Sequence, residues 1–326
     1  MSVSRRAFLG GLAATALTGV TGYALAKRGA SPATLRLGAM ANLTHAPMLA
    51  GLGSGRIAAA LGVPIETRVF RAGPRVAEAL IGNAIDAGTA GPAPIVVHHA
   101  RHGGLRIVSG VCSGGASLVV TKPSGIRSAS DARGKRLAIT QIGTTQDVAL
   151  RTWLAKAGLR DRTAGGDVVI LAIAGATILD QMKRGELDGA WLPEPWATRV
   201  VDDVGAVRLV DERDLWPERR FSTAVLAVRT GDESARGEPR WLPQLERAIA
   251  EEVIRAQRNP EIAIAEAHAE LTRRMGNPGP LKLFMKAAAY VDFTSDTLRP
   301  SIERFGESAS SLGFAPPNPT DHLFRD

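Results

Sequence analysis

Two distant stretches of the chain carry the same succession of signals. Gly82-Asn83-Ala84-Ile85-Asp86 leads through a short run to Pro92-Ala93-Pro94, and Gly185-Glu186-Leu187-Asp188 leads through another to Pro193-Glu194-Pro195. Each reads as a helix end, a glycine stop, an apolar residue with an aspartate, a strand, a Pro-x-Pro turn and a new helix. A weak internal repeat of this kind argues for two lobes on one βαβ plan. Strands alternating with helices imply an α/β protein whose sheets are mixed, mostly parallel and covered by helices on both faces.

The remaining elements fit that plan. A strand over 35–40 runs into Asn42-Leu43-Thr44-His45-Ala46-Pro47, where Thr44 or His45 caps a helix and Pro47 sits at a tolerated first-turn position. That helix breaks around Gly53-Ser54-Gly55 and resumes to Leu61. A strand over 64–70, helices over 75–81 and 95–102 and a strand over 105–112 follow, then a tight turn at Ser113-Gly114-Gly115. Strands over 136–140, 167–173, 188–192 and 207–211 alternate with helices over 146–157, 178–184 and 195–203. The extended runs 117–121 and 223–229 carry the chain out of the first lobe and back, and helices are expected over 241–258, 260–275, 281–290 and 298–312. This places the lobes at 27–118 with 224–326, and at 119–223, joined by a double crossover. Ligands of open α/β sheets gather at the carboxyl ends of the strands, and in two facing lobes those ends converge on one cleft.

One turn at that cleft has chemistry of its own. After the strand over 136–140, Gly143 permits a sharp turn, Thr144 is an N-cap and Asp147 stands three residues on, an acidic variant of the capping box. Ala149, Leu150, Trp153, Leu154 and Ala157 share one face of the helix, and Gly158 ends it. Free N–H groups and threonine hydroxyls at a helix mouth make an anion site, although most capped helices bind nothing.

The N-terminus reads as an export signal. Ser4-Arg5-Arg6-Ala7-Phe8-Leu9-Gly10 is a twin-arginine pattern, and a short apolar run ends at Ala24-Leu25-Ala26, with cleavage expected after Ala26. The run is short and rich in Gly and Thr, which favours cleavage over a membrane anchor. The formal charge of +8 drops to +6 on loss of the two signal arginines (+8 − 2), which leaves a basic protein suited to anions. Basic runs interleaved with aromatics are missing, so nucleic acid is not expected as a partner. Cys112 is the single cysteine, so no internal disulfide can form.

Thr44-His45-Ala46-Pro47, Thr89-Ala90-Gly91-Pro92-Ala93-Pro94, Asp131-Ala132-Arg133-Gly134-Lys135-Arg136, Gly143-Thr144-Thr145-Gln146-Asp147 and Glu194-Pro195-Trp196 together carry a resemblance. Over roughly 35–310 the chain resembles the periplasmic substrate-binding proteins of ABC importers for aliphatic sulfonates, taurine and nitrate. The resemblance implies a type II periplasmic-binding fold, a periplasmic monomer, a small anionic ligand of the sulfonate class, and an importer permease and ATPase as partners. Relatives also bind sulfate esters or pyrimidine precursors of thiamine. The expected ligand contacts are Asn42, Thr44, His45, Thr89, Gly91, Ser113, Gly114, Gly143, Thr144, Thr145, Gln146, Glu194 and Trp196. A sulfonate is ionised at every physiological pH, so such a site needs donors rather than a titrating base. Thr144 and Thr145 are the expected donors, Thr44 and His45 the facing set, and Trp196 with Met48 the wall for a hydrocarbon tail.

Three roles are open to Glu194: it accepts from an amine on the ligand, pairs with an arginine, or caps the helix after it. His98 and His102 stand one helical turn apart, but no third ligand has matching spacing, so neither a metal nor another cofactor is expected. Some relatives of the fold are desulfinases with a catalytic cysteine, which makes Cys112 a candidate nucleophile. A small buried apolar role is the commoner fate of a free cysteine, and no enzyme is expected. A sensory module that reports to a membrane receptor would use the same two lobes.

Overall fold

The computed structural model describes residues 34–230 and 239–324. The expected signal over 1–26 lies outside the described residues. The first part of the chain forms β1 (Leu35–Met40), α1 (Ala46–Gly53), α2 (Arg56–Leu61), β2 (Ile65–Phe70), α3 (Gly73–Ile81), β3 (Ala87–Ala90), α4 (Pro92–His102) and β4 (Leu105–Gly114). The middle forms β5 (Ala116–Val120), β6 (Arg136–Ile139), α5 (Thr145–Ala155), β7 (Val169–Ala172), α6 (Gly175–Lys183), β8 (Gly189–Pro193), α7 (Trp196–Val204) and β9 (Val207–Asp211). The last part forms β10 (Ser222–Arg229), α8 (Leu242–Arg258), α9 (Pro260–Met275), α10 (Leu281–Ala287), β11 (Val291–Phe293) and α11 (Arg299–Ser311).

Two sheets result. A six-stranded sheet has the order β11-β4-β10-β3-β1-β2, and a five-stranded sheet has the order β7-β6-β8-β5-β9. Both are mixed, but parallel pairs are not the majority. β1 pairs parallel with β2 and β3, and β6 with β7 and β8, while the remaining five pairings are antiparallel. The reason is topological: β10 returns from the second lobe and β5 arrives from the first, so each enters its sheet running against its neighbours.

The chain changes sheet at Gly114-Gly115, which take φ of 74° and 76°. A Cβ on Gly115 would come 2.6 Å from Thr44 Cγ2 and 2.7 Å from Val291 Cγ1, so glycine is required there twice over. β5 and β10 begin at Ala116 and Ser222, so positions 119 and 224 fall inside these strands rather than at their starts. A short strand, β11, fills the gap between the helices expected over 281–290 and 298–312. Val291–Phe293 pairs with β4 as an edge strand, with Val291 and Phe293 buried and Asp292 exposed. Three residues carry too little alternation to stand out from flanking helical patterns.

Helices cover both faces of each sheet. α1, α2, α8 and α9 bury one face of the six-stranded sheet through Leu49, Ile249 and Ile264, and α3, α4 and α11 bury the other through Leu80, Ile95 and Ile302. α5 packs on the five-stranded sheet through Leu150 and Trp153, and α6 and α7 pack on its opposite face through Ile178 and Val200. Between the lobes Phe221, Phe305 and Val148 form a separate cluster. Phe221 is fully buried, which contributes about 1.5–3 kcal/mol relative to exposure.

Candidate functional site

Six strands end at one cleft of about 420 Å³. β1, β2 and β3 of the first sheet lead into helices whose N-caps are His45, Ala72 and Gly91. β6, β7 and β8 of the second lead into helices whose N-caps are Thr144, Ala174 and Pro195. All six N-caps line the cleft. Each helix start carries roughly half a positive elementary charge on its free N–H groups. Arg71, just after β2, and Arg199, on α7 and paired with Asp203 at 3.5 Å, add two guanidinium groups to the lining. No carboxylate stands among the described lining residues. Met40, Ile173, Trp196, Leu271, Met275 and Phe284 give the cleft an apolar side.

The structure gathers Asn42, Thr44, His45, Gly91, Thr144, Thr145, Gln146 and Trp196 around this cleft. Thr44 Oγ1 donates to Asn42 Oδ1 at 2.7 Å. His45 is 1% exposed, and burial pushes its imidazole down to about 3, so the ring is neutral; its Nδ1 has no partner among the described residues. The two threonines of the α5 turn differ. Thr144 Oγ1 donates to the Gln141 carbonyl at 2.8 Å and accepts from the Asp147 N–H at 3.3 Å, so the cap uses it fully. Thr145 Oγ1 is buried with no hydrogen-bond partner among the described residues. Trp196 lies against Gly175, where a Cβ would come 2.7 Å from the indole, and the Arg199 guanidinium sits 5.4 Å from the ring.

Thr89, Ser113, Gly114, Gly143 and Glu194 lie behind this lining. Ser113 Oγ accepts from the Phe221 N–H at 3.2 Å, and the Gly114 carbonyl accepts from Thr223 Oγ1. Thr89 Oγ1 is buried on β3 without a partner among the described residues. Gly143, with φ of 75°, makes the turn, and its N–H donates to Asp147 Oδ2 at 2.9 Å. Met48 is fully buried in the core between α1 and the sheet, so the tail wall does not include it.

Glu194 takes two of the three roles open to it. It is fully buried, pairs with Arg208 at 2.7 Å and accepts from the Thr198 N–H in the first turn of α7 at 3.0 Å. Burial pushes its carboxyl up, and Arg208 opposes the shift. The carboxylate therefore does not confront an anion in the cleft. Arg208 in turn stacks over Tyr290 of the first lobe, 3.5 Å from the ring centroid.

Arg71, Arg199, Gln141 and Asn277 line the cleft without having been singled out. Arg71 follows a strand end, which the carboxyl-end rule could have found. Asn277 comes from the loop after α9, for which the sequence offers no signal.

Cys112 is 1% exposed in the core beside β11 and is not part of the lining. Burial pushes its thiol well up, away from the thiolate a nucleophile requires. The rings of His98 and His102 stand 6.1 Å apart, and His99 Nε2 lies 2.8 Å from the Asp321 carbonyl. Among the described residues no three His, Cys, Asp or Glu side chains gather as a metal site.

The NMT1-like family model matches residues 28–288. A Brucella abortus protein described as a binding protein is 29% identical over 167 residues, 51% of this chain and 50% of that one. The nitrate/nitrite binding protein NrtA of Nostoc is 30% identical over 104 residues, 31% of this chain and 23% of that one. The chain thus spans about half the length of the first curated relatives it matches. Among solved structures, the alkanesulfonate-binding protein SsuA of Xanthomonas axonopodis pv. citri, bound to MOPS, superposes with a TM-score of 0.70 at 21% identity, over 87% of this chain and 93% of that one. The periplasmic nitrate-binding protein NrtA of Synechocystis gives 0.73 at 16% identity, over 90% and 86%. At such identities the likeness is one of fold, and the fold is the two-lobed type II periplasmic-binding architecture.

Proposed function

The chain belongs to the NMT1-like family, and from that premise we propose that it is a solute-binding protein that captures a small organic anion between its lobes. The ligand is an aliphatic sulfonate, and the recipients are the permease and ATPase of an ABC importer. One observation carries the reading: six helix N-termini and two arginines meet in a cleft whose described lining holds no carboxylate. Positive helix ends and guanidinium groups suit a permanently ionised group, and nothing there repels it. The apolar side formed by Met40, Trp196, Met275 and Phe284 suits a hydrocarbon tail, which nitrate lacks. The relatives and fold neighbours named for alkanesulfonate and for nitrate both accord with an anion site. Binding is favoured over a desulfinase reaction because Cys112 stands in the core with its thiol held protonated.

The protein acts as a periplasmic monomer after twin-arginine export and cleavage behind Ala26, with its lobes meeting at the crossovers ahead of Ala116 and Ser222. Protein sequencing of exported material should begin at Lys27, and replacing Arg5 and Arg6 together by lysine should stop export. The ligand is tested by thermal shift and calorimetry with methanesulfonate, 1-propanesulfonate, 1-hexanesulfonate, taurine and nitrate. A ligand that binds the native state alone raises the melting temperature. The alkyl sulfonates should do so, and taurine should bind less tightly than 1-propanesulfonate, because its ammonium meets arginines and no carboxylate. A response to nitrate with every sulfonate silent would overturn the sulfonate assignment.

A further inference from the structure

Gly91, the N-cap of α4, has φ of −65° and ψ of 149°. Any L residue adopts that conformation, so the backbone does not demand a glycine. The space around it does. A Cβ at Gly91 would stand 2.6 Å from Thr145 Oγ1, 3.6 Å from the Thr223 carbonyl oxygen and 3.7 Å from Thr145 Cβ. Gly91 follows β3 of the first sheet and Thr145 opens α5 behind β6 of the second, so the obstruction lies between the lobes. Both residues line the cleft, and Thr145 Oγ1 is buried there without a partner among the described residues. On another flank Lys286 of α10 in the first lobe pairs with Asp202 of α7 in the second, both exposed. These contacts join the lobes around the cleft in a closed arrangement.

Building on the anion-binding reading above, we propose that Gly91 sets the depth of lobe closure: its missing side chain admits Thr145 against the first lobe and so delivers the Thr145 hydroxyl to the ligand. A methyl group at position 91 either holds the lobes apart or turns that hydroxyl out of the cleft. The obstruction is one oxygen atom. Without Oγ1, the nearest neighbours of the added carbon lie at 3.6 and 3.7 Å, which is ordinary contact. The two positions must then be coupled, and the coupling is measurable.

The test compares Gly91→Ala, Thr145→Ala and the double variant with the wild type. Calorimetry with 1-hexanesulfonate gives affinity. Zero-length carbodiimide cross-linking of Lys286 to Asp202, with and without that ligand, reports closure independently of affinity. Each single change should weaken binding by about tenfold, and the double variant should stay within about twofold of Thr145→Ala instead of falling about a hundredfold. Cross-linking should drop in Gly91→Ala and return in the double variant. Wild-type binding and cross-linking by Gly91→Ala would overturn the proposal, as would additive losses in the double variant. A lowered ligand-free melting temperature in Gly91→Ala that Thr145→Ala does not reverse would place the clash within one lobe and also overturn it. If the cross-linking pattern holds while wild type ignores 1-hexanesulfonate, the closure device stands and the sulfonate assignment falls.

Discussion

Thr144 and Thr145 are neighbours of one type with different work to do. Thr144 spends its hydroxyl on Gln141 and Asp147, whereas Thr145 keeps one free at the cleft. Thr145→Ala should therefore weaken sulfonate binding by roughly 1.5–3 kcal/mol, about tenfold or more, with little change in melting temperature. Thr144→Ala should instead cost about 1 kcal/mol of stability through the lost cap. Calorimetry paired with thermal melts separates the two, and equal affinity in Thr145→Ala would reduce the α5 turn to a scaffold. Trp196→Ala should weaken 1-hexanesulfonate more than methanesulfonate, because only the longer tail can reach the apolar wall. Equal losses would place the tail elsewhere. The anion turn was legible in Gly143-Thr144-Thr145-Gln146-Asp147, since caps and glycine turns are local. The fate of Glu194 was not, because its partner Arg208 lies on a strand that folding alone brings near.

Most elements were legible because strand and helix periods differ and the glycines punctuate them. The exceptions depend on tertiary pairing, as β11 does on β4 and as the antiparallel share does on the crossovers. The return crossover holds Glu212, fully buried, with Oε2 accepting from Trp191 Nε1 at 2.7 Å. Burial pushes this carboxyl from 4.5 up to about 8. The folded state then keeps a proton that the unfolded state releases. The associated stability is complete below pH 4.5 and is lost as pH rises through about 8. Across that window stability should fall by up to about 1.4 kcal/mol per pH unit from this group. Glu212→Gln, followed by denaturant melts at several pH values, should flatten the slope, and an unchanged slope would assign it to other groups.

For the whole molecule, the repeated glycine-to-proline pattern made the two-lobe plan legible. The meeting of Gly91 with Thr145 was hidden, because it depends on how the lobes sit against each other. The chain leaves the first sheet at Gly114-Gly115 and returns to it at Ser222, so hinge motion should centre there rather than on Val119-Val120 and Ala224-Val225, which are paired inside β5 and β10. Small-angle scattering should show a smaller radius of gyration on saturation with 1-hexanesulfonate. An unchanged radius would mean that the free protein is already shut or does not close.

The cleft's positive character comes from peptide dipoles and guanidinium groups, beside a histidine that stays uncharged down to about pH 3. Peptide dipoles carry no titrating proton, and a sulfonate has none to lose between about pH 5 and 9. Capture is thus indifferent to acidity: titrations across that range should give one dissociation constant, and a steep dependence would mean that a titrating group touches the ligand. A protein built this way offers no proton-driven means of letting go, so release has to come from something that prises the lobes apart.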